Sequence, residues 1–259
     1  MQPDEVRSLN HDLCIIMGRF APIISRRLVY HRDWRFLHCA RPDPHFPRTR
    51  LVCLENTHNR GGGKIWSTGQ ISEVATVARK HGLQLHLDGA RLWNASVAAG
   101  IPERDYAAYF DTVSVCFSKG LGAPVGSALA GPKAFIERAR RFRKMFGGGM
   151  RQAGIIAAGA LFALANHRAR LAEDHANAKA LASELAAVKG LEATPAEVEA
   201  NMVRFRVRSM PAQQLVDRLR AQGVLLLAVG PDTIRAVTNL MVSSDDIQAA
   251  VAIIAGVLK

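Results

Sequence analysis

Two residues have the type and setting to do chemistry on a carbonyl. Lys119 lies in Ser118-Lys119-Gly120-Leu121-Gly122-Ala123-Pro124-Val125-Gly126-Ser127, directly after Thr112-Val113-Ser114-Val115-Cys116-Phe117. The earlier run is β-branched and apolar, as strands are. The glycines and the Ala123-Pro124 pair turn the chain at once. The lysine is therefore expected where a buried strand opens into a tight loop. Taking its charge out of water is costly unless something compensates. A desolvated lysine has a lowered pKa and forms a Schiff base with a carbonyl. The plain alternative is a surface lysine at a strand end, and for a lone lysine that is the commoner case.

The second residue is Asp88, in Leu83-Gln84-Leu85-His86-Leu87-Asp88-Gly89-Ala90-Arg91. This stretch reads as a strand ending in a carboxylate, then a small-residue turn. Asp88 and Lys119 thus fall at the C-terminal ends of two successive strands, where open α/β sheets place ligands. A cofactor with a pyridine nitrogen at one end and an aldehyde at the other would use the pair directly. Lys119 would hold the aldehyde, and Asp88 would keep the ring nitrogen protonated. His58 follows a further strand, in Glu55-Asn56-Thr57-His58-Asn59, and imidazole titrates in the range a proton-handling group needs. His86 is its rival; alternation puts it on the same strand face as Asp88, where a packed core histidine is the plain reading.

The elements that must position these residues are legible from position 49 onward. Leu51-Val52-Cys53-Leu54 reads as a buried strand and Arg60-Gly61-Gly62-Gly63 as a loop. Ile71, Val74, Ala75 and Ala78 share one helical face, and Gly82 stops that helix. Further helices are expected at 92–99, from Pro132 to near Phe146, at 153–165 and at 168–188. A strand is expected at 127–130. The last part reads as strand 202–207, helix 211–221, strands 224–228 and 233–238, and helix 244–258. Alternating strands and helices mean a mainly parallel sheet with helices on both faces. The fold class is α/β, with a small C-terminal α/β domain. The expected division is an atypical segment 1–44, a large domain 45–167, and a bridging helix with the small domain 168–259.

Four stretches carry a resemblance: Glu55-Asn56-Thr57-His58-Asn59, His86-Leu87-Asp88-Gly89-Ala90-Arg91, the run around Lys119, and Gly147-Gly148-Gly149-Met150-Arg151-Gln152. In this order they resemble the low-specificity L-threonine aldolases, pyridoxal 5'-phosphate (PLP) enzymes of the aspartate-aminotransferase fold type. The resemblance runs from about His45 to the C-terminus. It implies reversible cleavage of a β-hydroxy-α-amino acid, such as threonine or allo-threonine, to glycine and an aldehyde. It implies that Lys119 and Asp88 bind the cofactor and that His58 contacts the substrate hydroxyl, either orienting it or acting as base. Arg91 would serve both the cofactor site and, with Arg235, the substrate carboxylate, where a two-pronged donor is useful. Lys144 and Arg151 would reach the cofactor phosphate of a neighbouring subunit, in a homotetramer or homodimer. Related PLP enzymes with the same lysine and aspartate carry out β-elimination or racemisation instead.

Residues 1–44 read differently. Arginine, histidine, tryptophan and proline crowd in, as in Ser25-Arg26-Arg27-Leu28-Val29-Tyr30-His31-Arg32, without a helical or strand period and without lysine. The family's phosphate-binding turn and ring-stacking residue are not found there. The expectation is a truncated chain whose first part is replaced, and the competing reading of the whole is an inactive aldolase-like fragment. An Arg-rich targeting segment and a divergent ordered extension are the alternatives; Asp4, Glu5 and Asp12 count against targeting.

With 49% apolar residues in 259, a sizeable core is affordable. Cys14, Cys39, Cys53 and Cys116 have no paired spacing and read as reduced thiols of a cytoplasmic protein. No apolar run is long enough to span a membrane. No metal is called for. The formal charge of +12 invites a nucleic-acid reading, yet the arginines are scattered apart from the 138–144 run and the N-terminal stretch, and no nucleic-acid-binding motif accompanies them. The expected partner is a small amino-acid substrate.

Overall fold

The structure is a computed structural model and describes residues 13–15 and 50–258. The expectations for the rest of 1–44 lie outside the described residues. Two sheets organise the chain. The first has five strands in the order β1 (Leu13–Ile15), β2 (Leu51–Glu55), β3 (Gln84–Gly89), β4 (Thr112–Cys116) and β5 (Ser127–Ala130). The first four are parallel, and β5 runs antiparallel to β4. β1 falls in a stretch read as having no strand period. Its partner supplies what local pattern did not, since Leu13, Cys14 and Ile15 pair in register with Leu51, Val52 and Cys53.

Helix α1 (Thr68–Lys80) buries Ile71, Val74, Ala75 and Ala78, the face expected from their spacing. Ser67 caps it: its hydroxyl accepts from the Gln70 amide while the Gln70 side chain accepts from the Ser67 amide. Gly82, at φ +68°, ends the excursion. Helices α2 (Leu92–Ala99) and α3 (Glu103–Ala107) follow β3. The short α3 is a finding, with buried Tyr106 as its anchor. One face of the sheet, with Val52, Leu54, Leu85, Leu87 and Val113, packs with Trp66, α1, Leu92 and Tyr106 into one core. The other face carries the half-exposed Cys53, His86, Asp88, Thr112 and Ser114.

Helix α4 (Lys133–Met145) buries none of its residues, and α5 (Gly154–His167) buries only Ala163. Then α6 (Leu171–Ala186) crosses to the second sheet. That sheet has the order β6 (Leu191–Ala193), β7 (Met202–Val207), β9 (Thr233–Val237) and β8 (Leu227–Ala228), all antiparallel. β6 is a finding, and β8 is shorter than expected. Helices α7 (Ala212–Arg220) and α8 (Ser244–Val257) close a core around Phe205, Leu215, Leu219, Ile234 and Ile254. Leu181, Ala182 and Leu185 of α6 belong to that second core, while Leu171 at its start packs with Leu121 and Ala163.

Candidate functional site

The C-terminal ends of β2, β3 and β4 lie side by side, so residues that leave these strands converge. Glu55 ends β2 and pairs in register with Asp88 near the end of β3. In parallel strands, register partners project from the same sheet face, about 5 Å apart. Two carboxylates therefore sit together. Burial first, and repulsion from Asp88 second, push the Glu55 carboxyl above the usual carboxylate range. Asp88 Oδ1 accepts the Ala90 amide at 3.0 Å, which fixes the turn into α2. Arg91 stands at the N-cap of α2, its Nη1 3.8 Å from Glu55 Oε1. That is an ionic contact, too long for a hydrogen bond.

His58 is completely buried, at 0% exposure. Its Nδ1 accepts the Gly61 amide at 2.8 Å. A backbone N–H only donates, so the ring proton sits on Nε2. Burial lowers the His58 pKa to about 4, with Arg60 adding to the shift, and the ring is neutral at pH 7. The neutral ring has one lone pair, and Gly61 uses it. In this geometry His58 is a donor at Nε2, 3.5 Å from Glu55 Oε2 and without a hydrogen-bond partner. His86, the rival, is held by Thr112 Oγ1 at 2.8 Å on Nδ1 and by Ser114 Oγ at 3.4 Å on Nε2, as a packed strand histidine would be.

Lys119 corrects one expectation. Its side chain is exposed, not desolvated. Only Val113 of β4 is buried, and every residue of neighbouring β5 is exposed, so nothing among the described residues takes the lysine out of water. It still lies close enough for its charge to act on Glu55. From the second sheet, Arg235 Nη1 donates to Asn59 Oδ1 at 2.6 Å, just past His58. Its charge also acts on Arg91, so the two guanidiniums expected to share a carboxylate do approach one another. Arg235 Nε is buried without a partner. Lys144 and Arg151 are exposed, and among the described residues no hydrogen bond or ion pair joins them to this group.

Glu55 carries no role expected from the sequence, although it opens the Glu55-Asn56-Thr57-His58-Asn59 stretch. The signal was available: β2 ends in an acid, β3 carries one at its last position but one, and parallel register brings the two together. Asn59, the partner of Arg235, had no signal short of the packing of the two sheets.

The donor set suits PLP at two of its ends. Asp88 has one oxygen without a hydrogen bond among the described residues, able to accept from a protonated ring nitrogen. Lys119 offers a primary amine one strand away. His58 Nε2 and Arg235 Nε are buried donors without acceptors, the condition a bound ligand relieves.

A five-strand sheet of this order, with α6 leading to a smaller antiparallel sheet, is the fold-type-I architecture of PLP-dependent enzymes. The threonine aldolase of Leishmania major shares the fold at TM-score 0.67 and 19% identity, over 84% of this chain and 64% of that one. So does a methionine gamma lyase from Micromonospora echinospora, at TM-score 0.60 and 19% identity, over 82% and 64%. The sequence profile of the beta-eliminating lyase family matches residues 37–208, and the chain belongs to that family. Low-specificity L-threonine aldolase 1 of Arabidopsis thaliana is 43% identical over 205 residues, which is 78% of this chain and 57% of that protein. The low specificity L-threonine aldolase of Escherichia coli K12 is also 43% identical, over 79% and 59%. The chain thus spans somewhat more than half the length of these two relatives. Among the described residues, no helix is long and apolar enough to cross a membrane.

Proposed function

We propose that the chain carries out PLP-dependent aldol cleavage of a β-hydroxy-α-amino acid, L-threonine or L-allo-threonine, to glycine and an aldehyde. What supports this reading is that the charges of Asp88, Arg91 and Lys119 all act on Glu55, at the end of β2, and that of Arg235 acts on Arg91. The names of the 43% identical relatives support the same reaction. When bound, PLP supplies an aldehyde for amines and a protonated ring that draws electrons from the amino-acid Cα.

The chain's own residues do the rest. Asp88 would pair with the protonated ring nitrogen of PLP. Lys119 would provide the amine that holds the PLP aldehyde. Arg91 and Arg235 would grip the substrate carboxylate from two sides and so set how the amino acid lies in the site. His58, protonated on Nε2, orients the hydroxyl as a donor. Lys144 and Arg151 serve a phosphate across a subunit boundary, in a homo-oligomer. Residues 45–167 form the cofactor-binding unit and 168–259 the bridging helix and small domain.

The test is the visible absorption spectrum of the purified chain with added PLP, beside Lys119→Ala, followed by a threonine cleavage assay. A protonated-imine band absent from Lys119→Ala, with glycine formed from threonine, is the expected result. Equal spectra for the two proteins would sink the reading and leave the inactive-fragment alternative. Pyruvate or ammonia in place of glycine would move it to β-elimination.

A further inference from the structure

Because the Lys119 side chain is exposed, its own packing does not aim it; the loop after it must. Leu121 is fully buried, the Gly122 amide donates to Lys119 O at 2.9 Å, and the Ala123 amide donates to Phe117 O at 3.0 Å. Beneath this loop lie two residues from different helices. Asn94 of α2, 1% exposed, presses its amide oxygen against Gly120: a Cβ there would lie 2.5 Å from Asn94 Oδ1. His175 of α6 holds Asn94 in turn, with Nε2 3.2 Å from Asn94 Nδ2. An amide nitrogen only donates, so His175 Nε2 carries the lone pair. Burial keeps this ring neutral, with its pKa lowered to about 4. The next residue back, Asp174, accepts at its carbonyl from Thr238 Oγ1 at 2.6 Å, three residues beyond Arg235.

We propose that Asn94 and His175 are a positioning pair for Lys119, fixing the backbone at Gly120 and with it the direction of the lysine amine. The inference rests on the function proposed above. Neither residue touches a ligand. Asn94 sets where Gly120 can sit, and His175 sets which way the Asn94 amide faces. Removing the imidazole leaves a buried Asn94 N–H without an acceptor, so the amide is free to turn. Gly120 has no side chain of its own to resist. The step the pair serves is imine formation: the lysine nitrogen bonds to the aldehyde carbon, the carbonyl oxygen leaves, and the two amine protons depart with it as water.

The experiment uses the full chain and two probes. PLP followed by borohydride fixes the Lys119 imine as a secondary amine, read by peptide mass. Pyridoxine 5'-phosphate, which has an alcohol in place of the aldehyde, reports binding that does not need Lys119. For His175→Ala and Asn94→Ala the rate of Lys119 labelling should fall by about tenfold or more, with affinity for pyridoxine 5'-phosphate kept within about twofold. His175→Gln retains an acceptor and should recover most of the labelling. Unchanged labelling in both alanine variants would overturn the proposal. Equal losses for both probes would also overturn it, since the pair would then be holding the whole site. Should His175→Ala not fold, Asn94→Ala and His175→Gln carry the same comparison. A wild-type chain not labelled at Lys119 above its other lysines would overturn the proposed function and the pair together; labelling in the wild type matched by the variants would overturn the pair alone.

Discussion

Glu55 and His58 respond to pH in opposite directions, and both signs follow from burial. The folded His58 pKa of about 4 lies below the ordinary 6.5, so folding favours the neutral ring. Its contribution to stability is complete above pH 6.5 and is lost as pH falls through 4. His175 behaves alike, also at about 4. Each loss is on the order of 2–3 kcal/mol. Urea denaturation from pH 7 to 4 should show stability falling, and His58→Gln or His175→Gln should each flatten the fall. Glu55 and Asp174 act the other way. Their folded pKa values are raised by burial, so their contribution is present below the unfolded values and is lost as pH rises. Glu55→Gln should therefore raise the melting temperature at pH 8 and leave it nearly unchanged at pH 4. The types of these residues were legible in the sequence; their proton positions were not. That His58 donates and does not accept depends on the Gly61 amide, which only the fold of the 58–64 turn places at Nδ1.

At the scale of elements, the close approach of β3 and β4 is the most demanding feature. A Cβ at Gly89 would lie 2.7 Å from the Ser114 carbonyl oxygen and 3.2 Å from Leu92 Cβ. The strands cannot separate, because Gly89 is paired with Val115. Gly89→Ala should cost about 1–3 kcal/mol in urea unfolding. Helix α5 makes a different demand. It is apolar on all sides yet leaves Ile155 89% and Phe162 60% exposed, which in water invites a second surface. Phe162→Glu should shift sedimentation toward smaller species if the chain self-associates through α5. The periodic elements were readable in advance: α2, β5 and β7 fall on their expected bounds, and α1 buries its expected face and ends two residues before Gly82. The elements missed were short and patternless. β1 and β6 have three residues each, and α3 has five. They exist because a neighbour offers a ladder or a pocket, as the core does for Tyr106, and local sequence does not record a neighbour.

Across the whole molecule, α6 is the common member. Its first turn packs under the Lys119 loop and accepts, at the Asp174 carbonyl, from Thr238 beyond β9, and its last turns join the core of the second sheet. The two sheets differ in how completely they are covered. β7 alternates buried and exposed residues against α6, α7 and α8, while β5 is exposed throughout. Amide exchange in β7 should be slower than in β5 by at least about tenfold, measured on the intact chain. Coverage of the second sheet was predictable from the spacing of its apolar residues. The joining of the sheets was not, because it runs through Asn59 with Arg235, Arg60 with Arg204 and Lys64 with Glu199, polar pairs far apart in sequence.

Those pairs also set a timetable. Asn59 and Arg235 are separated by 176 positions, and the Arg60 carbonyl waits 144 positions for Arg204. Contacts that close such long loops form after local ones, since the entropy of closure comes due before the contact rewards it. During synthesis the strand bearing Glu55 leaves the ribosome long before β9 exists. The hydrogen bond that ties Arg235 in beside His58 is therefore among the last native contacts to form, and any probe that reads it reports the completion of folding.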